Sequence, residues 1–272
     1  MTTLKALRWS LQLDYELIFK VPDIPFLQKS LFILKKYGMF LKNALFGLNA
    51  VNRVTLFGID YCYNEIYCLA SLQRVYCASH GLKKLLPEHP VVVDVGANVG
   101  QFTFFCRHYL KAKRVVSIEP INDCYKRLQA NSAVPSDCFN CSVGSTNGVT
   151  EFYRCSRSTQ LSSSIKDEQE SYETGIFLAC KRLTDLVRES GLERIDLLKV
   201  DTEGSEYAVL RSGEEIIDQV GMILVEMSVF RNSTGDLFKT GAFLSERNFE
   251  LVTLECRHGN RPKDVDAVFV RR

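Results

Sequence analysis

Between residues 91 and 270, short apolar runs rich in Val, Ile and Leu alternate with segments in which apolar residues recur every three or four positions. The first pattern is typical of buried strands and the second of amphipathic helices. The predicted strands begin at Val91 and continue with Arg114–Ile118, Cys138–Val143, Val149–Arg154, Ile195–Val200, Met222–Glu226, Phe249–Leu254 and Val265–Val270. The predicted helices are Phe102–Leu110, Asn122–Asn131, Leu183–Glu189, Ser205–Ile217 and Thr240–Arg247.

Repeated strand–helix–strand order predicts an α/β fold with a doubly wound, mostly parallel sheet of about seven strands. The last two strands are joined by a short turn at Gly259-Asn260. This connection predicts an antiparallel hairpin at the C-terminal edge of the sheet. The serine-rich segment 156–171 is predicted to be a mobile loop.

The N-terminal part of the chain has helical periodicity without strand signals. Leu4–Phe19 and Phe26–Val51 are predicted helices, separated by Pro22 and Pro25. The second helix carries Lys29, Lys35, Lys36 and Lys42 among apolar residues. A basic amphipathic helix can lie on a membrane surface or on a partner, or it can cap the main domain with its apolar stripe. The pattern leaves these alternatives open.

A third helix is predicted over Tyr61–Leu86, directly before the first strand. We therefore predict two parts of the chain: an N-terminal helical extension, 1–60, and an α/β domain, 61–272. No apolar run reaches the roughly 20 residues of a membrane span. Charged residues interrupt the N-terminus where a signal peptide needs an apolar segment, so no signal peptide is expected.

Composition and charge narrow the classes of partner. The chain of 272 residues is 46% hydrophobic, and its net charge is +2. No strong positive field therefore favours nucleic acid. The ten cysteines are scattered, and Cys138 and Cys141 form a Cys-x-x-Cys pair with no second pair to complete a zinc site. Buried reduced thiols in a cytoplasmic setting are the expected state.

The strand that starts at Val91 ends in a turn of small residues, and a helix follows it. Gly96 and Gly100 lie four positions apart, with Asn98 between them. This spacing does not fit the Gly-x-Gly-x-x-Gly fingerprint for a pyrophosphate, and no P-loop lysine follows. Glu119 ends the next strand, where a carboxylate can accept both hydroxyls of a ribose. The pattern favours an adenosine ligand with a short uncharged or zwitterionic tail.

The order of these motifs resembles the S-adenosylmethionine-dependent methyltransferases with a seven-stranded Rossmann-like sheet, and most closely the FkbM-type family. The likeness covers roughly residues 90–255, and its most specific part is Lys199–Gly204. The residues that carry it are Val93–Gly100, Ser117–Pro120, Asn140–Gly144, Asp196–Glu206, Val209–Gly213 and Ile223–Glu226. One departure is Thr202, where the family more often has a β-branched aliphatic residue.

This resemblance implies S-adenosylmethionine as the cofactor and methyl transfer to an oxygen of a sugar, glycolipid or secondary metabolite. It assigns Asp94, Gly96, Asn98 and Gly100 to the methionine part of the cofactor. It assigns Glu119 to the ribose, and Ser142 and Val143 to the adenine. It also implies that Asp201 lies beside the methyl donor and acceptor.

Three carboxylates are candidates for the base that takes the acceptor proton. Asp201, Glu203 and Glu226 lie at or near the carboxyl ends of predicted strands, where open α/β sheets bind ligands. The same group could instead hold Mg2+, although the sequence assigns no residue as a metal ligand. Glu203 and Glu206 could also simply favour the N-terminus of the next helix. Lys199 could pair with a carboxylate.

Two other classes remain open at this stage. A nicotinamide-dependent oxidoreductase is disfavoured by the glycine spacing. A non-catalytic adenosine-binding module is disfavoured by the intact motifs around residues 91–100 and 199–206. The identity of the acceptor and the oligomeric state have no signature in the sequence.

Overall fold

The computed structural model describes residues 3–46, 52–65, 67–156, 158–165, 172–173, 175–229, 237–256 and 264–272. The strands are β1 Asn52–Leu56, β2 Ile59–Tyr63, β3 Val91–Val95, β4 Arg114–Ile118, β5 Cys138–Phe139, β6 Ser142–Val143, β7 Gly148–Phe152, β8 Ile176–Lys181, β9 Leu197–Val200, β10 Met222–Ser228, β11 Phe249–Cys256 and β12 Asp264–Arg271. The helices are α1 Thr3–Phe19, α2 Phe26–Phe46, α3 Tyr67–Ser79, α4 Gln101–Phe105, α5 Asn122–Asn131, α6 Leu183–Glu189, α7 Glu206–Ser212 and α8 Leu237–Ser245.

A seven-stranded sheet forms the centre of the molecule, in the order β11-β12-β10-β9-β3-β4-β5. The pairs β4–β5, β3–β4, β3–β9 and β9–β10 are parallel, whereas β12 runs antiparallel to both β10 and β11. The predicted fold class, including the antiparallel C-terminal pair, is confirmed. The predicted turn at Gly259-Asn260 lies outside the described residues.

The chain direction changes sharply after β5. The single strand predicted over Cys138–Val143 is wrong, because β5 belongs to the central sheet and β6 to a separate sheet in the order β6-β8-β7. Between them, the Asn140 side-chain amide donates to the carbonyl oxygens of Glu119 and Pro120, each at 2.9 Å. These bonds hold the chain at the end of β4 while it turns away from the sheet.

A β-hairpin, β1–β2, stands between the second and third predicted helices, and its second strand overlaps the start of the helix predicted over Tyr61–Leu86. Its turn is Phe57-Gly58, with φ values of 54° and 81°, and alternating apolar positions flank it. A two-residue turn of this kind indicates a hairpin. The sequence prediction instead assigned Tyr61–Leu86 to one helix. The helix α3 begins only at Tyr67. The predicted division of the chain at residue 60 falls within β2.

The hairpin is fixed to the α/β domain through one buried side chain of α5. The Asn131 amide donates to the carbonyl oxygens of Cys62 and Val99, at 2.7 and 2.6 Å, and its oxygen accepts from the Cys62 N–H at 2.7 Å. Buried backbone groups require such partners. Residues 52–63 are therefore integrated with the fold on which the glycine turn sits.

The helices α1 and α2 pack against α3 through a buried polar network inside an apolar core. Lys36 is fully buried and lies 2.5 Å from Asp14 Oδ1 and 2.9 Å from Gln73 Oε1. Tyr37 donates its hydroxyl to Asp14 Oδ2 at 2.6 Å. Burial lowers the pKa of Lys36, and the Asp14 carboxylate opposes that effect. The buried side of α2 thus packs against the α/β domain, as one of the alternatives for its apolar stripe predicted.

Among the described residues, no helix combines the length and apolar character needed to cross a membrane. The cysteines whose side chains the structure describes are thiols, including Cys138 and Cys141, and most of them are buried.

Candidate active site

A cavity of about 440 Å³ opens at the carboxyl ends of the central parallel strands. Open α/β sheets bind ligands at this edge, and the volume lies within the usual range for small-molecule sites. Its lining includes eight of the ten predicted site residues: Gly96, Asn98, Glu119, Ser142, Val143, Asp201, Glu203 and Glu226. The other two, Asp94 and Gly100, lie behind this wall.

The glycine turn is built around a very close backbone approach. The N–H groups of Gly96 and Ala97 both donate to the carbonyl oxygen of Ile118, at 3.1 and 3.0 Å. Gly96 has φ +79°, and a Cβ placed on it would lie 1.8 Å from the carbonyl oxygen of Asp201. Only glycine adopts this positive φ without strain and has no Cβ to collide with that oxygen. The turn therefore holds the end of β3 tightly against the end of β9.

Gly100 acts at a distance from the cavity. It precedes α4 with φ +91°, and a Cβ there would lie 3.0 Å from the Leu128 side chain of α5. The missing side chain lets α4 and α5 pack closely. Gly100 therefore affects the cavity only indirectly, through the position of α4 after the turn.

Glu119 ends β4, and its carboxylate fixes two backbone segments. Oε2 accepts from the Asn98 N–H at 2.9 Å, and Oε1 accepts from the Ile121 N–H at 2.8 Å. Burial raises the pKa of the Glu119 carboxyl to about 7, although the two N–H donors act in the opposite direction. Each carboxylate oxygen has a second lone pair for a ligand hydroxyl.

Asp94 is fully buried beneath the turn and pairs with a lysine of the cavity wall. Its Oδ1 lies 3.3 Å from Lys199 Nζ, and its Oδ2 accepts from the Thr103 hydroxyl at 2.9 Å. Lys199 Nζ also lies 3.5 Å from Asp201 Oδ2. Lys199 thus bridges a buried carboxylate and one that lines the cavity. The structure therefore shows the pairing of Lys199 with a carboxylate that the sequence left open.

Three carboxylates converge at the same wall. Asp201, Glu203 and Glu226 can each present an oxygen within 4.8 Å of the others. Glu226 is buried on β10, whereas the other two residues are partly exposed on the loop after β9. The sequence predicted this convergence from strand ends alone.

The loop after β9 is shaped by a carboxylate that does not line the cavity. Glu206 is buried and accepts from the N–H groups of Thr202 and Gly204, at 2.9 and 3.0 Å. Burial raises the pKa of Glu206, and these N–H donors oppose the shift. Glu203 sits inside this loop with φ +57°. Glu206 is therefore a positioning residue for Glu203.

A divalent cation would meet a suitable donor type in these carboxylates, since hard cations prefer carboxylate oxygens. Lys199, however, already places a positive charge 3.5 Å from Asp201. A second cation there would experience that charge directly. The three carboxylates are suitable ligands for a divalent cation. The neighbouring ammonium group of Lys199 repels such a cation and makes the site less favourable for binding it.

The segment 158–164, predicted as part of a mobile loop, packs over the cavity. Glu65 accepts from the Ser158 hydroxyl and from the Thr159 N–H, each at 2.7 Å. The Asn98 amide donates to the Thr159 hydroxyl at 3.3 Å, and the Ser163 hydroxyl donates to the Thr202 carbonyl oxygen at 3.2 Å. This segment joins the glycine turn to the loop after β9. Residues 166–171 lie outside the described residues.

The cavity wall beside Glu226 carries charged residues that sequence reasoning missed. Asp266 lies there because it is the register partner of Glu226 across β10 and β12. Arg74 of α3 and Asp266 of β12 line the cavity and lie 3.5 Å apart. Glu255 of β11 is the register partner of Asp266 and also lines the cavity, and burial beside Asp266 raises the pKa of its carboxyl. These residues come from separate parts of the chain, and no motif links them.

Comparisons with known proteins agree with this geometry. A family model described as the methyltransferase FkbM domain matches residues 94–251. The chain is 30% identical over 162 residues to the methyltransferase sdnD of Sordaria araneosa, with 48% of this chain and 62% of that protein covered. It is 27% identical over 158 residues to the 2-O-methyltransferase NoeI of Sinorhizobium fredii, with 51% and 63% covered.

A further relative is the 31-O-demethyl-FK506 methyltransferase FkbM of Streptomyces tacrolimicus, which is 26% identical over 190 residues, with 57% of this chain and 69% of that protein covered. More than a third of the length of sdnD and of NoeI lies outside their matches to this chain. The family model spans more than half of the chain, including the glycine turn and the loop after β9. The chain therefore belongs to the FkbM family of methyltransferases.

Proposed function

We propose that this protein transfers a methyl group from S-adenosylmethionine to a hydroxyl oxygen of a small molecule, sugar or lipid-linked glycan. The observation that carries the proposal is the position of Glu119 beside the glycine turn, with a converging carboxylate group across the same cavity. A ribose-binding carboxylate and candidate bases thus share one site. When bound, S-adenosylmethionine supplies an electrophilic methyl group.

The residues of this chain fit the cofactor by their chemistry. Glu119 offers acceptor oxygens for the ribose hydroxyls. Ser142 and Val143 offer a small, buried wall suited to the adenine. Gly96 and Asn98 offer backbone close to the ligand because the turn has no bulky side chain there. Asp94 would act on the ligand through Lys199 and the turn rather than by contact.

The carboxylates of the loop after β9 and of β10 would receive the acceptor. Asp201, Glu203 or Glu226 would accept the hydroxyl proton as a general base. Lys199 holds the Asp201 carboxylate in position from behind. Orientation of the acceptor oxygen toward the methyl group would supply much of the rate. The walls of the cavity therefore need to order two ligands and remove one proton.

Oxygen as the acceptor atom is supported by two relatives whose names specify O-methylation, NoeI and FkbM. The charged part of the cavity wall formed by Arg74 and Asp266 suits an acceptor rich in hydroxyl groups. Mg2+ is not required by this scheme, because Lys199 already supplies positive charge beside Asp201.

Calorimetric titration with S-adenosylmethionine and with NAD tests the donor assignment. We expect binding of S-adenosylmethionine, loss of that binding in Glu119→Ala, and no binding of NAD. Binding of NAD alone would instead favour an oxidoreductase. Absence of binding by either ligand to the folded protein would contradict the proposal.

A methyl-transfer screen against sugars, lipid-linked glycans and hydroxylated small molecules tests the reaction itself. Formation of S-adenosylhomocysteine is the readout, measured with Mg2+ and with a chelator. We expect equal rates in the two conditions, and a fall of roughly a hundredfold or more in Asp201→Asn if Asp201 is the base. A protein that binds the cofactor but methylates no acceptor would match a non-catalytic module.

A further inference from the structure

The helix α2 is apolar on both of its faces, and one of them points away from the protein. Its outward row consists of Leu27, Leu31, Leu34, Leu41 and Leu45, here called the leucine face. These side chains are between 43% and 69% exposed. Intervals of three, four and seven residues place them on one side of a helix with 3.6 residues per turn.

The opposite side of α2 is occupied by the protein itself. Lys29, Phe32 and Lys36 are buried there, and Lys36 pairs with Asp14. The orientation of α2 is therefore fixed by its contacts with the rest of the fold, and the leucine face is held outward. At about 1.5 Å per residue, the face extends over roughly 27 Å.

The helix α1 adds a second outward apolar row. Leu7, Leu11, Tyr15 and Phe19 recur at intervals of four residues and are between 48% and 71% exposed. Apolar rows of this extent are uncommon on protein surfaces that face only water, and they mark contact sites.

The charges around the leucine face select among partners. Lys35 and Lys42 are exposed, lie seven positions apart on α2 and flank the leucine face on the same side. The Lys35 ammonium group also donates to the carbonyl oxygen of Thr55 at 2.5 Å, which leaves its other N–H groups for a ligand. The sequence of α2 contains no Asp or Glu. Residues 3–46 contain seven Lys or Arg and three Asp or Glu, whereas the whole chain has a net charge of only +2. The positive charge of this part of the chain is thus concentrated in α2, where two of the four lysines, Lys35 and Lys42, are exposed. The helix α1 has two basic and two acidic residues.

We propose that α1 and α2 form a peripheral membrane-binding surface, with the leucine face inserted into the acyl region of a bilayer that contains anionic lipid. Lysines at the border of an inserted apolar face extend their ammonium groups to lipid phosphates. Each basic residue near an anionic surface adds attraction. A second copy of α2 would bring no carboxylate to Lys35 or Lys42, so charge complementarity favours lipid over self-association.

Vesicle flotation with the full chain tests this surface. The vesicles are phosphatidylcholine alone, or phosphatidylcholine with phosphatidylserine. We expect binding to the phosphatidylserine vesicles that weakens as salt is raised. The double variant L34Q/L41Q should bind at least roughly tenfold more weakly, because two apolar side chains are lost from the inserted face. The matched control is V149Q/F177Q, which changes two side chains that are 72% and 75% exposed on β7 and β8.

Thermal unfolding establishes whether each variant retains the fold. If L34Q/L41Q unfolds early, the single charge reversal Lys42→Glu carries the test, with Lys126→Glu on the exposed side of α5 as its control. Wild-type protein that fails to float with either vesicle, or variants that float as the wild type does, would overturn the proposal. A dimer in analytical ultracentrifugation that L34Q/L41Q dissociates would also overturn it, since the leucine face would then belong to a second copy.

Discussion

The Cβ position of Gly96 points directly at the carbonyl oxygen of Asp201, 1.8 Å away, which no side chain can accommodate. This contact joins the turn predicted to hold the methyl donor to the loop that carries the candidate base. The two halves of the site are thus in van der Waals contact through backbone atoms. A change at Gly96 must displace one half from the other.

Gly96→Ala should abolish binding of S-adenosylmethionine and destabilise the protein. Gly58→Ala is a matched control, because Gly58 has a nearly identical φ of +81° but nothing within 4 Å of its Cβ position. The free energy of unfolding of the control should fall by only about 1–2 kcal/mol, the cost of an alanine in the left-handed conformation. Its affinity for the cofactor should not change. Chemical unfolding and calorimetry measure both quantities. Equal behaviour of the two variants would show that the contact with Asp201 does not matter.

Affinity for S-adenosylmethionine should depend on pH through Glu119. The pKa of this carboxyl is raised to about 7, so in the free protein it gains a proton below neutrality. A protonated carboxyl accepts ribose hydroxyls less well. We expect the affinity to fall roughly tenfold between about pH 8 and pH 6. Glu119→Gln should bind more weakly, and its profile should reveal any titration of the ligand itself. A wild-type profile parallel to that of the variant would contradict this assignment.

The same pKa predicts how Glu119 affects stability. Because the folded-state pKa is raised above the ordinary value of 4.5, the folded protein binds this proton more tightly than the unfolded chain does. Its contribution to stability is therefore fully present below about pH 4.5 and is lost as the pH rises to about 7. The difference in unfolding free energy between wild type and Glu119→Gln, measured across this range, checks the sign.

The order of strands and helices was predictable from the sequence because each buried strand is a compact apolar run. The hairpin β1–β2 was missed because Tyr61 and Tyr63 also fit a helical spacing with the apolar residues of α3. Only the Phe57-Gly58 turn signals the hairpin. Local periodicity cannot decide such cases when tertiary packing, here onto Asn131, fixes the conformation.

The position of a residue at the cavity was predictable where a motif occupies one strand end and its turn. Glu119 and Gly96 are of this kind. Asp94 belongs to the same motif, yet it is fully buried and forms an ion pair with Lys199 instead of lining the cavity. Arg74, in the middle of α3, and Asp266, near the start of β12, are distant in the sequence and meet only in the folded protein. Their pairing depends on the complete topology, which no local pattern encodes.

Lys199→Met should destabilise the protein by about 3 kcal/mol, since it leaves the fully buried Asp94 carboxylate without its ion-pair partner. Urea unfolding measures the loss. The double variant D94N/K199M should recover part of it, because a neutral amide can keep the bond from Thr103 without an uncompensated charge. Lys113→Met, an exposed lysine before β4, should change stability by less than about 0.5 kcal/mol. A single variant as stable as the wild type would mean that the pair contributes nothing.

Glu65→Ala should release the segment 158–164 from the rim of the cavity. Glu65 accepts the Ser158 hydroxyl and the Thr159 N–H, and Thr159 in turn accepts from Asn98 of the glycine turn. We expect roughly tenfold weaker binding of S-adenosylmethionine, because the removal of a carboxylate that accepts two hydrogen bonds costs on the order of 1–3 kcal/mol. Limited proteolysis should cut between residues 156 and 165 faster in the variant than in the wild type. Glu65→Gln, which keeps one acceptor oxygen, should show an intermediate effect. If Glu65→Ala lowers affinity while the cleavage rate is unchanged, Glu65 acts on the ligand by another route than this segment.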